Sequence, residues 1–92
     1  MAVEFDPAKR DATLKDRGLD FADAAEVFSG RTLDLVDDRN DYGELRFITF
    51  GTLEGRMVVV AWTPRGEARR IISMRKANER EKARFGKRLG EG

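Results

Sequence analysis

Cysteine and histidine are both absent from the 92-residue chain. Without cysteine there is no disulfide, no thiolate nucleophile and no thiolate metal ligand. Without histidine the usual general base near neutral pH is missing, and with both gone a zinc site is not expected. No apolar run approaches the length of a membrane span, and no signal-peptide pattern follows Met1. The expectation is a cytoplasmic protein with no membrane partner and no cofactor. Repeats, linkers and low-complexity segments are also lacking, so residues 1–92 read as one domain with a core of modest size.

What is present is charge. Charged residues make up 38% of the chain and hydrophobic ones 40%, enough to fold under a heavily charged surface. The net charge of +1 conceals a division. Residues 1–41 carry six Lys/Arg against eleven Asp/Glu, a balance of −5, whereas residues 42–92 carry twelve against six, a balance of +6. The basic half suits nucleic acid or an acidic partner.

The pattern predicts α+β. Met1 to Phe5 reads as a short extended start. Asp6-Pro7 then opens a helix, with Asp6 as N-cap and proline at the first helical position, and Gly18 closes it. Asp20 caps a second helix whose buried stripe is Phe21, Ala24, Ala25 and Phe28. Strands follow at Thr32–Val36 and Glu44–Gly51, the second with Arg46 among apolar neighbours. The turn Leu53–Arg56 leads to Met57–Thr63, almost continuously apolar and hence the most buried strand. Pro64-Arg65-Gly66-Glu67 makes the next turn, and Gly90-Glu91-Gly92 a fraying tail. The predicted architecture is an antiparallel sheet with two N-terminal helices and a C-terminal helix. The acidic loop Asp37–Asp41 is either solvated or a cation site, but its spacing fits no known cation-binding loop.

The stretch Arg69–Phe85 holds the greatest chemical interest. A strand carrying Ile71 and Ile72 passes into a helix that Asn78 can cap, with Glu81 three residues later to complete a capping box. Arg70, Arg75, Lys76 and Arg80 surround the junction, a cation set able to hold a phosphodiester or simply to face solvent.

Four segments in order carry a resemblance. They are Glu4-Phe5-Asp6-Pro7-Ala8-Lys9; Lys15 and Gly18 with Phe21-Ala22-Asp23-Ala24; Gly43-Glu44-Leu45-Arg46-Phe47; and Arg70-Ile71-Ile72-Ser73-Met74-Arg75-Lys76-Ala77 with Glu81. Together, over about residues 3–85, they resemble the BrnT family of toxins from type II toxin–antitoxin systems. The resemblance implies a RelE-like fold and a ribonuclease that stops translation. It also implies a ribbon-helix-helix antitoxin, in a 2:2 heterotetramer that reaches operator DNA only through the antitoxin and represses the shared operon. The chain departs from the family at Arg17, where histidine is usual, and at Phe85, where tyrosine is frequent.

RNA cleavage by the 2′-OH requires a proton acceptor, stabilisation of the anionic transition state and a leaving-group donor. On this reading Arg46, Arg70 and Arg75 contact the scissile and flanking phosphates, Lys76 is an acid or charge clamp, and Glu81 is a base or only a cap. Arg65, Arg80 and Arg84 extend the RNA-binding surface, with no metal. Arg46 can equally be a structural ion-pair partner. Tyr42 and Trp62 could stack bases, though Trp62 lies in the strand expected to be most buried. An RNA- or antitoxin-binding module of the same fold, without turnover, is the alternative.

Overall fold

The structure, a computed structural model, describes residues 2–90. The N-terminal helix α1 (Pro7–Arg17) starts where its chemistry dictates: the Asp6 carboxylate accepts from the Ala8 amide, and proline fills a position that needs no donor. It ends at Gly18, whose φ of +69° is open to glycine at little cost. No residue of α1 is buried. The helix is held instead by polar ties, chiefly the Arg10 guanidinium gripping both Asp20 oxygens at 2.8 Å.

The second helical segment corrects the expected phase. Asp20 caps a 3-10 turn, Phe21–Asp23, and only then does α2 (Ala24–Ser29) begin. A three-residue turn aligns positions three apart, so Phe21, Ala24 and Val27 are the fully buried set. Ala25 and Phe28 are half-buried at its margin.

Five strands follow one order across the sheet, β1-β5-β4-β3-β2, with β1 (Val3–Glu4), β2 (Leu33–Val36), β3 (Phe47–Leu53), β4 (Arg56–Arg65) and β5 (Ala68–Lys76). β2 through β5 form the expected antiparallel meander. The sheet as a whole is mixed, however, because β1 pairs with β5 in parallel, Val3 opposite Arg69 and Glu4 opposite Arg70. β1 and β5 are far apart in sequence, so no hairpin ties the pair to the antiparallel direction. Boundaries also differ: β2 starts at Leu33, β3 runs on to Leu53 and β4 starts at Arg56. Arg46 stands ahead of β3 rather than within a strand, and Pro64 and Arg65 belong to β4, leaving Gly66-Glu67 as the turn. Proline is tolerated there because β3 pairs with β4 only as far as Trp62, so no ladder bond is lost at Pro64.

β4 lies at the middle of the sheet and is buried on both faces, which is why its sequence is an unbroken apolar run. On one face Val58, Val60 and Trp62 join Ile71, Met74, Phe21, Ala24 and Val27. On the other, Met57 and Val59 pack with Phe50, Ala77, Phe85 and Leu89 beneath α3 (Glu79–Phe85) and the 3-10 turn Gly86–Leu89. Of the fraying tail expected at Gly90-Glu91-Gly92, Gly90 caps the 3-10 turn through its N–H, and Glu91-Gly92 lie outside the described residues.

Candidate functional site

Side chains in a regular strand alternate faces, so residues five apart, such as Arg70 and Arg75, should point to opposite sides of β5. They do not. The pairing with β4 shifts between Ala61 and Trp62: Ser73 faces Ala61 and Ile71 faces Trp62, leaving Ile72 as the extra residue of a bulge. Arg70 then opposes Thr63 and Arg75 opposes Val59. Residues 63 and 59 share a face of β4, so the two arginines share a face of β5, the one that carries α3.

Arg75 is fixed where it stands. Its Nη1 and Nη2 donate to the two Glu81 carboxylate oxygens at 2.8 and 2.9 Å, and Nη1 lies 3.4 Å from the Lys76 carbonyl. Glu81 in turn accepts from the Asn78 amide at 2.9 Å, while the Asn78 side chain accepts from the Glu81 amide at 2.8 Å. The capping box is thus complete, and it anchors an arginine as well as a helix. The arginine's hydrogen bonds hold the Glu81 carboxyl below its ordinary range, assisted by the Asn78 amide and opposed by burial. Glu81 raises the pKa of Arg75, while burial and the nearby Arg39 charge work the other way.

The remaining expected residues divide. Arg70 lies 3.5 Å from Glu4 of the adjoining parallel strand. Arg46 donates to Glu44 at 3.0 Å and stacks over the Tyr42 ring at 3.9 Å, and Arg65 reaches the same Glu44 at 3.8 Å. Arg80 is exposed on α3, and Arg84 lies over the Phe85 ring. Lys76 is separated from Arg75: it opposes Val58, so it points to the other face, where it borders Gly18, Leu19 and Asp23. Arg56 and Lys82, which sequence reasoning did not single out, line a cavity with it.

Trp62 is core: its indole N–H donates to Thr49 at 2.7 Å, and Phe47 stacks on its ring. Tyr42 donates to Asp37, which also grips Arg39 through both oxygens, so the acidic loop is occupied by its own residues. Among the described residues no group of three or more acidic side chains is placed to hold a metal ion. Among the described residues no helix is long and apolar enough to cross a membrane. At the two departures from the family pattern, Arg17 donates to the Met74 carbonyl at 3.0 Å and Phe85 packs against Phe50 at 4.5 Å between ring centres.

This arrangement, an α+β fold with two arginines on one sheet face and one of them fixed by a helix cap, can be set beside known proteins. No curated protein matches the chain. The family model described as "Ribonuclease toxin, BrnT, of type II toxin-antitoxin system" matches residues 5–81, most of its length. The chain therefore belongs to the BrnT family of ribonuclease toxins, whose type II systems pair each toxin with an antitoxin.

Proposed function

We propose that the α3-side face of β5 is the RNA-cleaving surface, with Arg75 at the scissile phosphate and Arg70 at a flanking one. The observation that carries this reading is the bulge at Ile72, which brings both arginines to one face. Their partners on β4 are four residues apart, about 13 Å along the strand, so they serve different phosphates rather than clamping one. Arg75 has five N–H donors, and three hydrogen bonds hold it in place. Two N–H groups remain for the charge that develops on the phosphate oxygens.

In the reaction the 2′-oxygen attacks the adjacent phosphorus and the bond to the 5′-oxygen breaks. The 2′-hydroxyl loses its proton and the departing oxygen gains one, giving a 2′,3′-cyclic phosphate and a 5′-hydroxyl. Fixed donors aimed at that charge contribute about 10²–10³-fold each. Glu81 is a poor proton acceptor, because both oxygens are engaged and its pKa is lowered. We assign it the task of orienting Arg75. Arg46 and Arg65 around Glu44, with Arg80 and Arg84 on α3, flank the path of the strand. The reaction uses no metal, so cleavage should persist in a chelator.

A second reading, binding without turnover, is favoured by Arg17 and Phe85, which supply neither the imidazole nor the phenol usual at those positions in the family. Induced expression of the chain beside its Arg75→Ala variant distinguishes the two. Growth arrest with RNA cleavage, lost in the variant, supports the ribonuclease; RNA binding by a folded chain that cleaves nothing supports the module.

The antitoxin is assigned the ribbon-helix-helix class, in a cytoplasmic 2:2 complex that represses the operon. The sheet is assigned to the RelE-like group. Co-purification with the neighbouring gene product, followed by mass measurement and operator binding, tests the partner.

A further inference from the structure

Where the β3–β4 hairpin turns and β5 gives way to α3, the surface opens into two adjoining cavities. One, of about 340 Å³, is lined by Gly55, Arg56, Met57, Lys76 and Lys82. The other, of about 410 Å³, shares Arg56 and Lys76 and extends toward Gly18 and Asp23. The lining of the smaller cavity has three cations and no carboxylate.

Local structure explains why the cations meet. Glu54 and Gly55 both have positive φ, 51° and 79°, and make the tight turn that delivers Arg56 to the start of β4. Val58 opposes Lys76, and Arg56 lies two residues before Val58 on the same face, so Arg56 and Lys76 are diagonal neighbours across the pair. Lys82 enters from α3. Among the described residues neither the Arg56 guanidinium nor the Lys76 ammonium has an ion-pair or hydrogen-bond partner. Lys82 has only the exposed Glu79, at 3.2 Å. Three like charges around one cavity repel, and a compact anion seated among them would relieve that repulsion.

The cavity also adjoins the proposed site. Lys76 follows Arg75 in β5 but faces the opposite side of the sheet, and Lys82 follows Glu81 in α3, so the cavity lies round the end of β5 from the Arg75–Glu81 pair. An RNA strand running from Arg75 round the end of β5 would reach the cavity.

We propose that Arg56, Lys76 and Lys82 form a phosphate subsite that holds the RNA backbone at a nucleotide neighbouring the scissile bond. The subsite rests on the ribonuclease reading above and makes Lys76 a binding residue rather than an acid. RNA is favoured over an acidic protein segment because the space is small and lined by one guanidinium and two ammonium groups, which suits one phosphodiester.

The test uses a short, uncleavable 2′-O-methyl RNA bound to the full chain and to the Arg56→Ala/Lys82→Ala variant, followed by fluorescence anisotropy over a range of salt. Both side chains are exposed, so the fold, checked by circular dichroism, is expected to survive. The subsite predicts binding about tenfold weaker at low salt. It also predicts that the slope of log K against log salt falls by about 0.7, the value for one phosphate on a single strand. The Arg56→Lys/Lys82→Arg variant should retain the slope. Unchanged affinity and slope in the alanine variant overturn the subsite, even if antitoxin binding weakens instead. A separate readout is the amide shift of Gly55 on titration with dimethyl phosphate. If Gly55 responds but the chain cleaves no RNA, the ribonuclease reading fails and the anion site stands. If RNA is cleaved while Gly55 and the slope are unmoved, the subsite alone fails.

Discussion

Substituting Glu81 separates its structural role from any role in proton transfer. Glu81→Ala removes one half of the capping box, about 0.5–1 kcal/mol. It also removes the bidentate pair with Arg75. The Arg75 side chain is 44% exposed, so the pair contributes about 1 kcal/mol rather than the several of a buried one. The sum of about 1.5–2 kcal/mol lowers Tm by about 6–16 °C at the 4–8 °C per kcal/mol of a chain this size. Glu81→Gln keeps an oxygen for the Asn78 amide and one neutral bond to Arg75, so it should lose only about 2–8 °C.

Activity then decides the role. If Glu81 orients Arg75, the glutamine variant retains cleavage within about tenfold while alanine loses about 10²-fold, the usual cost of a misplaced group. If Glu81 takes the proton, glutamine is as damaging as alanine and both fall by about 10²–10⁴-fold. Single-turnover cleavage of a labelled RNA, at a temperature where both variants are folded, provides the measurement. Equal losses in the two variants refute the orienting role. Acid titration gives an independent reading. The folded Glu81 pKa lies below its unfolded value of 4.5, so the pair stabilises fully above that value and is lost as pH falls through the depressed one. Glu81→Gln should flatten that limb of the stability curve.

Other perturbations test the frame. Asp20, lowered from 3.8 to about 2 chiefly by hydrogen bonds from Arg10, stabilises the α1 contact above pH ~4 and loses that effect as pH falls toward 2; the Tm advantage over Asp20→Asn should vanish across that range. Gly51→Ala would put a methyl 2.5 Å from Val27 Cγ1 and 3.3 Å from Thr32 Cγ2, costing about 1–3 kcal/mol in urea unfolding. Combined with Val27→Ala, its cost should be less than additive by about 1 kcal/mol. Thr49→Val leaves the buried Trp62 indole N–H without an acceptor and should cost about 1–3 kcal/mol, followed through the fluorescence of the sole tryptophan.

Much of the fold was legible because its signals are local. Asp6-Pro7 and Gly18 bound α1, and Asn78 with Glu81 starts α3, through hydrogen bonds formed within a few residues. The apolar run of β4 announced a strand covered on both faces. What escaped is set by distant partners. Val3 and Glu4 are too few to declare a direction, which is set by a partner strand more than sixty residues away in sequence. The 3-10 turn at Phe21 shifts the buried stripe by one residue, and no propensity in Phe-Ala-Asp marks it.

The site follows the same logic. Residue types alone pointed to Arg70 and Arg75, but regular alternation would have put them on opposite faces and left no joint surface. Ile71 and Met74 are both buried in the same cluster although three residues apart, an odd separation that a regular strand cannot place on one face. That mismatch was the available signal of the bulge, and Ile71-Ile72 hid it by offering either isoleucine as the core residue. Arg56 and Lys82 gave no such signal, since a cation after a turn and one on a short helix are each ordinary. They acquire meaning only when the hairpin tip folds against the start of α3. The count of cations in a half-chain is local information, whereas the pairing register decides which of them share a face.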